Sequence, residues 1–399
     1  MNALADAAGK GAATGAGTGV PGLRRARWAT RIQFATLGMV AGTWGTHIPS
    51  IKAQHGLSEF SLSMVLLAAA LGAVTSLLFA GRVVARLGAP NAVAAAGALM
   101  GAMLGLFLLL PGLWALLPAA LVFGACMSLF DVSINSEGSE LESLSGRALM
   151  SNLHGMFSVG GMAGAALASV LLRAGLAPAV QLAAVAAGLV ALMGLASRGM
   201  LATHSGADGN EEKAHFAWPR GLLLVIGLLV FAGMTAEGVM YDWCVLYLKQ
   251  DVGMPQAQAA LGYAVFSAAM ALSRFGGDAL RSRFSEQALL FAGATLAALA
   301  MAMVLLVGSP WVALPGFVLV GAGLAPVAPI LFNAATRVPG VSRVAAIASV
   351  TSIGYSGFMI GPPLIGSIAQ ATSLSVALAV VVAAAGCLAI GAKHVPVKT

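Results

Sequence analysis

The sequence predicts an all-α membrane protein, with twelve transmembrane helices arranged as two six-helix bundles. Two observations predict it. The first is hydropathy: of 399 residues, 59% are hydrophobic and only 9% charged, with a mean hydropathy of +0.92. A water-facing surface needs charge at about a quarter of its positions, so the solvent here is lipid. The second is a repeat. Lys52-x-x-x-Gly56 returns as Lys249-x-x-x-Gly253, Ala80-Gly81 as Gly277-Asp278, Arg86 as Arg283 and Gly124-Ala125 as Gly321-Ala322, always at an offset of 197 residues. A duplicated half of about six apolar segments means two bundles facing each other, with the substrate site between them near mid-membrane.

The elements follow from runs of about 20 apolar residues, each long enough to cross a hydrocarbon core of roughly 30 Å. They fall near 28–50, 60–84, 90–111, 113–135, 148–172 and 178–198, then 220–248, 257–280, 286–307, 311–336, 343–369 and 373–392. The runs are continuously apolar, whereas a barrel strand alternates apolar and polar residues over about ten positions. Residues 1–27 begin rich in Gly, Ala and Thr, lack a signal-peptide core and are expected to form a disordered cytoplasmic tail. The first bundle is expected over 28–198 and the second over 220–392. Between them, 199–219 holds the longest polar stretch, from His204 to Lys213, and reads as a cytoplasmic linker, and 393–399 is the second tail. Lys and Arg crowd the loops on one side, among them Arg24, Arg25, Arg82, Arg147, Arg220 and Arg337, while the other side receives Lys52, Arg173 and Lys249. That asymmetry assigns both termini to the cytoplasm of a multi-pass membrane protein.

Several function classes are excluded by what the chain lacks. Its net charge of +7 and pI of about 9.7 come without a basic polar domain, so no nucleic-acid partner is expected. Cys126, Cys244 and Cys387 are far apart in apolar segments and read as small packing residues. No His-Glu-x-x-His or phosphate-binding Gly-x-x-x-x-Gly-Lys occurs, and the six histidines are scattered without ligand spacing. No enzyme, metal or cofactor is therefore expected.

The six-plus-six pattern, the central linker and the turn Gly81-x-x-x-x-Arg86-x-Gly88 resemble the major facilitator superfamily over about residues 28–392. Three further stretches, Phe130 to Asn135, Arg147 to Gly155 and Glu237 to Trp243, resemble bacterial inner-membrane members distantly similar to fucose:proton symporters. The resemblance implies alternating access, with Arg86, Asp278 and Arg283 as cytoplasmic gate latches. The family usually places an Asp before the arginine of this turn, where this chain has Ala85. Positively charged loops obeying topology alone are the competing account of these turns.

Ionisable groups inside the hydrocarbon carry the functional argument, because a charge there is costly and usually faces the bundle interior. Glu237 lies near the centre of the seventh helix and is the first candidate for proton coupling. Asp131 is the second, with Asn135 four residues on and so on the same face. A helix-end Asp reached by water is the alternative for Asp131. His154 lies at similar depth and is expected near Asp131 as a gating residue, although a lone helical His is commonly a packing residue. His47 and Asp242 fall at near-equivalent places in the two halves and are expected to pair as an outer gate. Trp44 and Tyr241 are expected to wall the cavity, with Trp243 in the headgroup belt. Gln33, Asn333 and Tyr355 complete the expected substrate contacts.

Pro326 and Pro329 are expected to interrupt helix 10, and Gly361-Pro362-Pro363 helix 11, freeing carbonyls that need a protein-lined or watery setting. Gly155, Gly160, Gly161 and Gly164 of helix 5 lack the proline that accompanies the Gly-rich helix-5 motif of many drug antiporters, so the resemblance implies symport. The function expected is a proton-coupled carrier of a small polar solute, a sugar or organic acid, acting as a monomer among membrane lipids. An exporter of amphipathic drugs or lipids is the alternative, kept open by Met39, Met127, Met234, Met240 and Met359.

Overall fold

The computed structural model describes residues 22–146, 149–201 and 219–396, apart from the side chains of Asp278, Ala279 and Val344. The first 21 residues, Arg147, most of the expected linker and the Asp278 latch therefore lie outside the described residues. Within them the chain is helical. The first half contains α1 (Leu23–Gln54), α2 (Glu59–Leu87), α3 (Ala89–Leu106), α4 (Leu113–Ser145), α5 (Met150–Arg173) and α6 (Pro178–Ser197). The second contains α7 (Gly221–Gln250), α8 (Gln256–Arg281), α9 (Glu286–Val307), α10 (Pro310–Leu324), α11 (Val327–Ala335), α12 (Arg343–Ala371) and α13 (Leu374–Gly391).

Helices α10 and α11 are two pieces of one 26-residue span, Pro310–Ala335, broken where Pro326 cannot donate a backbone hydrogen bond. The expected break at Gly361-Pro362-Pro363 does not occur, and α12 runs unbroken through both prolines. A proline's fixed φ is helical, and neighbouring helices can satisfy the carbonyls that two missing N–H groups leave free. Ten spans among the described residues are long and apolar enough to cross a membrane. Helix α1 is not among them because it carries many polar side chains, and the fold turns these inward: Thr30, Gln33, Thr36, Thr43, Thr46 and His47 are all buried.

Each half packs in the same way. The first pairs α1 with α5, α2 with α4 and α3 with α6; the second pairs α7 with α12, α8 with α10 and α9 with α13. The repeat explains the match at single residues. A Cβ on Gly124 of α4 would strike the Ala69 carbonyl of α2, and 197 residues on, a Cβ on Gly321 would strike the Phe266 carbonyl of α8. Only glycine lets these backbones touch. Gly56 and Gly253 likewise close α1 and α7 with positive φ of 59° and 77°, a region glycine enters without steric cost. Trp114 and Trp311, also 197 residues apart, are 84% and 89% exposed at the starts of α4 and α10, where indoles sit at the headgroup level.

The halves meet along α5 with α8 and α2 with α12, and α1 also touches α7 and α8. At the end that carries Lys52 and Lys249 the contact is tight. Gln256 of α8 donates to the Thr46 carbonyl (3.1 Å) and to Ser50 Oγ (2.6 Å) of α1, while Lys249 donates to Gln256 Oε1 (2.9 Å). Ser169 of α5 donates to the Ala257 carbonyl at 2.5 Å, and Gly366 of α12 lies against Ser63 of α2. The two halves are closed on each other at this lysine end.

Candidate functional site

Helix α8 brings the chemistry to the junction of the halves. Tyr263, Ser267 and Arg274 recur at helical spacing and face α5, where Gly161 meets the first two and Gly155 receives the ring of Phe275. These glycines let α8 approach closely enough for Arg274 to reach both neighbours. Its Nη2 pairs with Glu237 Oε1 of α7 at 3.1 Å, and its Nη1 donates to Ser158 Oγ of α5 at 3.0 Å. One guanidinium thus ties the acid of the second half to a hydroxyl of the first. The side chains of Arg274 and Glu237 are only 20% and 19% exposed, so each charge depends on the other.

Toward the opposite end, where α1 and α7 begin, a cavity of about 430 Å³ opens between α5 and the second half. Ser151 and His154 line it from α5, Arg274 and Arg281 from α8, and Pro329 and Phe332 from α11. The helix break at Pro326 borders this cavity, as the sequence suggested.

The expected site residues divide into those that meet here and those that do not. Glu237 is at the junction. His154 faces the cavity with its ring edge-on to Phe34, centroids 5.4 Å apart. It is not hydrogen-bonded to Asp131. That carboxylate instead accepts from Asn135 Nδ2 at 3.0 Å, within its own helix. Tyr241 packs on Tyr263 and Phe266 of α8, ring centroids 5.1 and 5.0 Å away, with its hydroxyl beside Ser267 of the same helix. Tyr355 of α12 lies against Phe358, centroids 6.2 Å apart.

Five expectations are corrected. Gln33 is buried inside the first bundle, donating to the Met193 carbonyl of α6 at 2.8 Å. Trp44 packs into an aromatic cluster of the same bundle, 4.6 Å from Phe107 and 5.1 Å from Phe123 between centroids. Trp243 is fully buried and is no headgroup anchor. Asn333 is exposed near the end of α11, where it donates to Glu286 at 2.8 Å beside the Glu286–Arg337 ion pair. His47 and Asp242 do not pair. His47 Nδ1 donates to the Thr43 carbonyl at 2.9 Å, while Asp242 borders a small void with Phe358 and Pro362. Equivalent depth on two helices is not equivalent direction around them, and the direction decides contact. Arg86 and Arg283 are exposed at the end opposite the lysines.

Arg274, Ser158 and Gln256 were missed. For Arg274 a signal existed: an arginine inside the eighth apolar segment, seven residues before the next one. An intramembrane cation is as costly as an intramembrane acid and calls for a partner.

Two opposed helical bundles, with a buried charge pair at their junction and a cavity open toward one end, define a multi-pass membrane transporter. The chain belongs to the major facilitator superfamily, whose model matches residues 30–362. An uncharacterised MFS-type transporter of Yersinia pestis is 37% identical over 361 residues, spanning 90% of this chain and 91% of the relative. Among solved structures, the nucleoside transporter NupG superposes with a TM-score of 0.72 at 14% identity, covering 94% of this chain and 98% of that one. The E. coli fucose:proton symporter FucP gives a TM-score of 0.63 at 16% identity, covering 94% and 98%. At such identities these two establish the fold.

Proposed function

We propose that the protein is a proton-coupled carrier of a small polar solute of the sugar or organic acid class, working by alternating access in a bacterial inner membrane. The observation that carries this reading is the Glu237–Arg274–Ser158 bridge. Its ion pair lies within the second half beside the cavity, and the same guanidinium reaches Ser158 of the first half, so a change in the charge of Glu237 acts on the group that links the bundles. A neutral Glu237 no longer holds Arg274, which loosens the junction and exposes the guanidinium to a solute. The asymmetry of Lys and Arg supports cytoplasmic termini, which makes the lysine end the outer face. Fucose and nucleoside carriers with this fold support the polar solute class. Among the described residues the cavity lining has no methionine, which counts against the exporter of amphipathic compounds.

The test is Glu237→Gln in proteoliposomes, with a solute first found by its thermal stabilisation of the purified protein. The amide keeps the shape and a hydrogen bond but cannot take up a proton. Exchange of solute across the membrane is expected to persist while proton-driven accumulation disappears. Accumulation at the parent rate would refute the assignment.

A further inference from the structure

We infer that the solute is an organic anion, whose carboxylate or phosphate group is taken by Arg274 and Arg281 across the cavity. This rests on the reading of the cavity as the substrate site. The two arginines are seven residues apart on α8, two helical turns, so they share a face and stand about 10 Å apart along the axis. Both line the cavity, as does His154 from the facing helix α5. Among the described residues the lining contains no carboxylate. Such a wall is matched to negative charge.

Two features point to a ligand. Arg281 Nε is buried and, among the described residues, has no hydrogen-bond partner, although a buried donor in a membrane protein is ordinarily satisfied. Arg274 is held by Glu237 through Nη2 and by Ser158 through Nη1, one bond each. A planar guanidinium presents five donors and binds an oxyanion through two of them at once. The single contact to Glu237 Oε1 leaves room for exchange. An arriving anion competes with Glu237 for the same group, and Glu237 lets go without stranding a charge when it takes up a proton. One anion and one proton then enter together, and for a singly charged anion the site's net charge is unchanged.

Among the described residues, the titratable and charged groups around this face of α8 are His154 of α5, Glu237 and Tyr241 of α7, Glu286 of α9 and its partner Arg337; the side chain of Asp278, on α8 itself, lies outside them. Glu286 is within electrostatic reach of Arg281 but is already held by Arg337 and Asn333. A neutral sugar would need acceptors in this wall as well as donors. The described polar side chains that supply any are hydroxyls and one imidazole.

The experiment is a thermal-shift panel on the full-length protein in detergent, built from matched pairs: gluconate with glucose, glycerol 3-phosphate with glycerol, and succinate with butanediol. At least one acid is expected to raise the melting temperature while its neutral partner does not, and the carboxylate and phosphate arms separate the two chemistries. The shift should vanish in Arg274→Gln and shrink in Arg281→Gln. If Arg274→Gln proves too unstable, the pair variant Glu237→Gln with Arg274→Gln leaves no unpaired charge and serves in its place. A neutral compound that stabilises as well as its acid, an acid shift that survives loss of Arg274, or silence from every acid in the panel would overturn the anion class. Proton movement driven by a neutral solute in proteoliposomes would leave the carrier reading standing while removing this one.

Discussion

Replacing Arg274 with glutamine strands Glu237 in the interior, and the cost can be worked from the geometry. At the observed 3.1 Å and an effective dielectric constant of about 20, the Coulomb attraction is about 5 kcal/mol. Desolvation of the two groups, each about a fifth exposed, offsets several kcal/mol, so the intact pair contributes little net stability. Breaking it is different: removing one partner of a buried pair costs about 3–5 kcal/mol. At about 2 °C per kcal/mol for a large domain, Arg274→Gln is expected to lower the melting temperature by roughly 6–10 °C. Adding Glu237→Gln removes the stranded acid and should restore most of the loss. The assay is thermal unfolding of the parent, both single variants and the double variant in the same detergent. Costs that simply add, within about 0.5 kcal/mol, would refute the direct coupling of these side chains.

The other expectations are simpler. Gly124→Ala drives a methyl group into the Ala69 carbonyl and should cost about 1–3 kcal/mol, read as a lower melting temperature; an unchanged value would mean that α2 and α4 can separate freely. Gln256→Ala removes both hydrogen bonds to α1, about 1 kcal/mol each, and should favour opening of the lysine end by roughly thirtyfold. In a background without Cys126, Cys244 and Cys387, a probe introduced as Thr43→Cys should then react faster with an impermeant maleimide. Equal rates would show that the clasp does not hold this end closed. Asn333→Ala deletes an exposed hydrogen bond to Glu286 and should cost at most about 1 kcal/mol, with solute uptake at the parent rate; lost uptake would return Asn333 to the substrate site.

Much of the architecture was legible in the chain itself, because lipid imposes a length and a composition on every span. The 197-residue offset carried structural information down to Gly124 and Gly321, whose missing side chains set the same close helix contact in both halves. Glu237 was legible too, since an acid in hydrocarbon is conspicuous whatever surrounds it. Direction around the helix was not legible. In a soluble helix the polar stripe reveals which face meets water, but here lipid and protein interior are both apolar, so spacing alone could not turn Gln33 toward α6 or Trp44 toward Phe123. The sequence by itself determined how many times the chain crosses the membrane, where it duplicates and that Glu237 is an acid inside an apolar span. Only the tertiary structure decided that Arg274 is the partner of Glu237, that Ser158 joins the halves through it, and that Glu137 is the acid enclosed completely. Such contacts depend on the rotation and approach of helices far apart in the chain, which no local pattern of residues encodes.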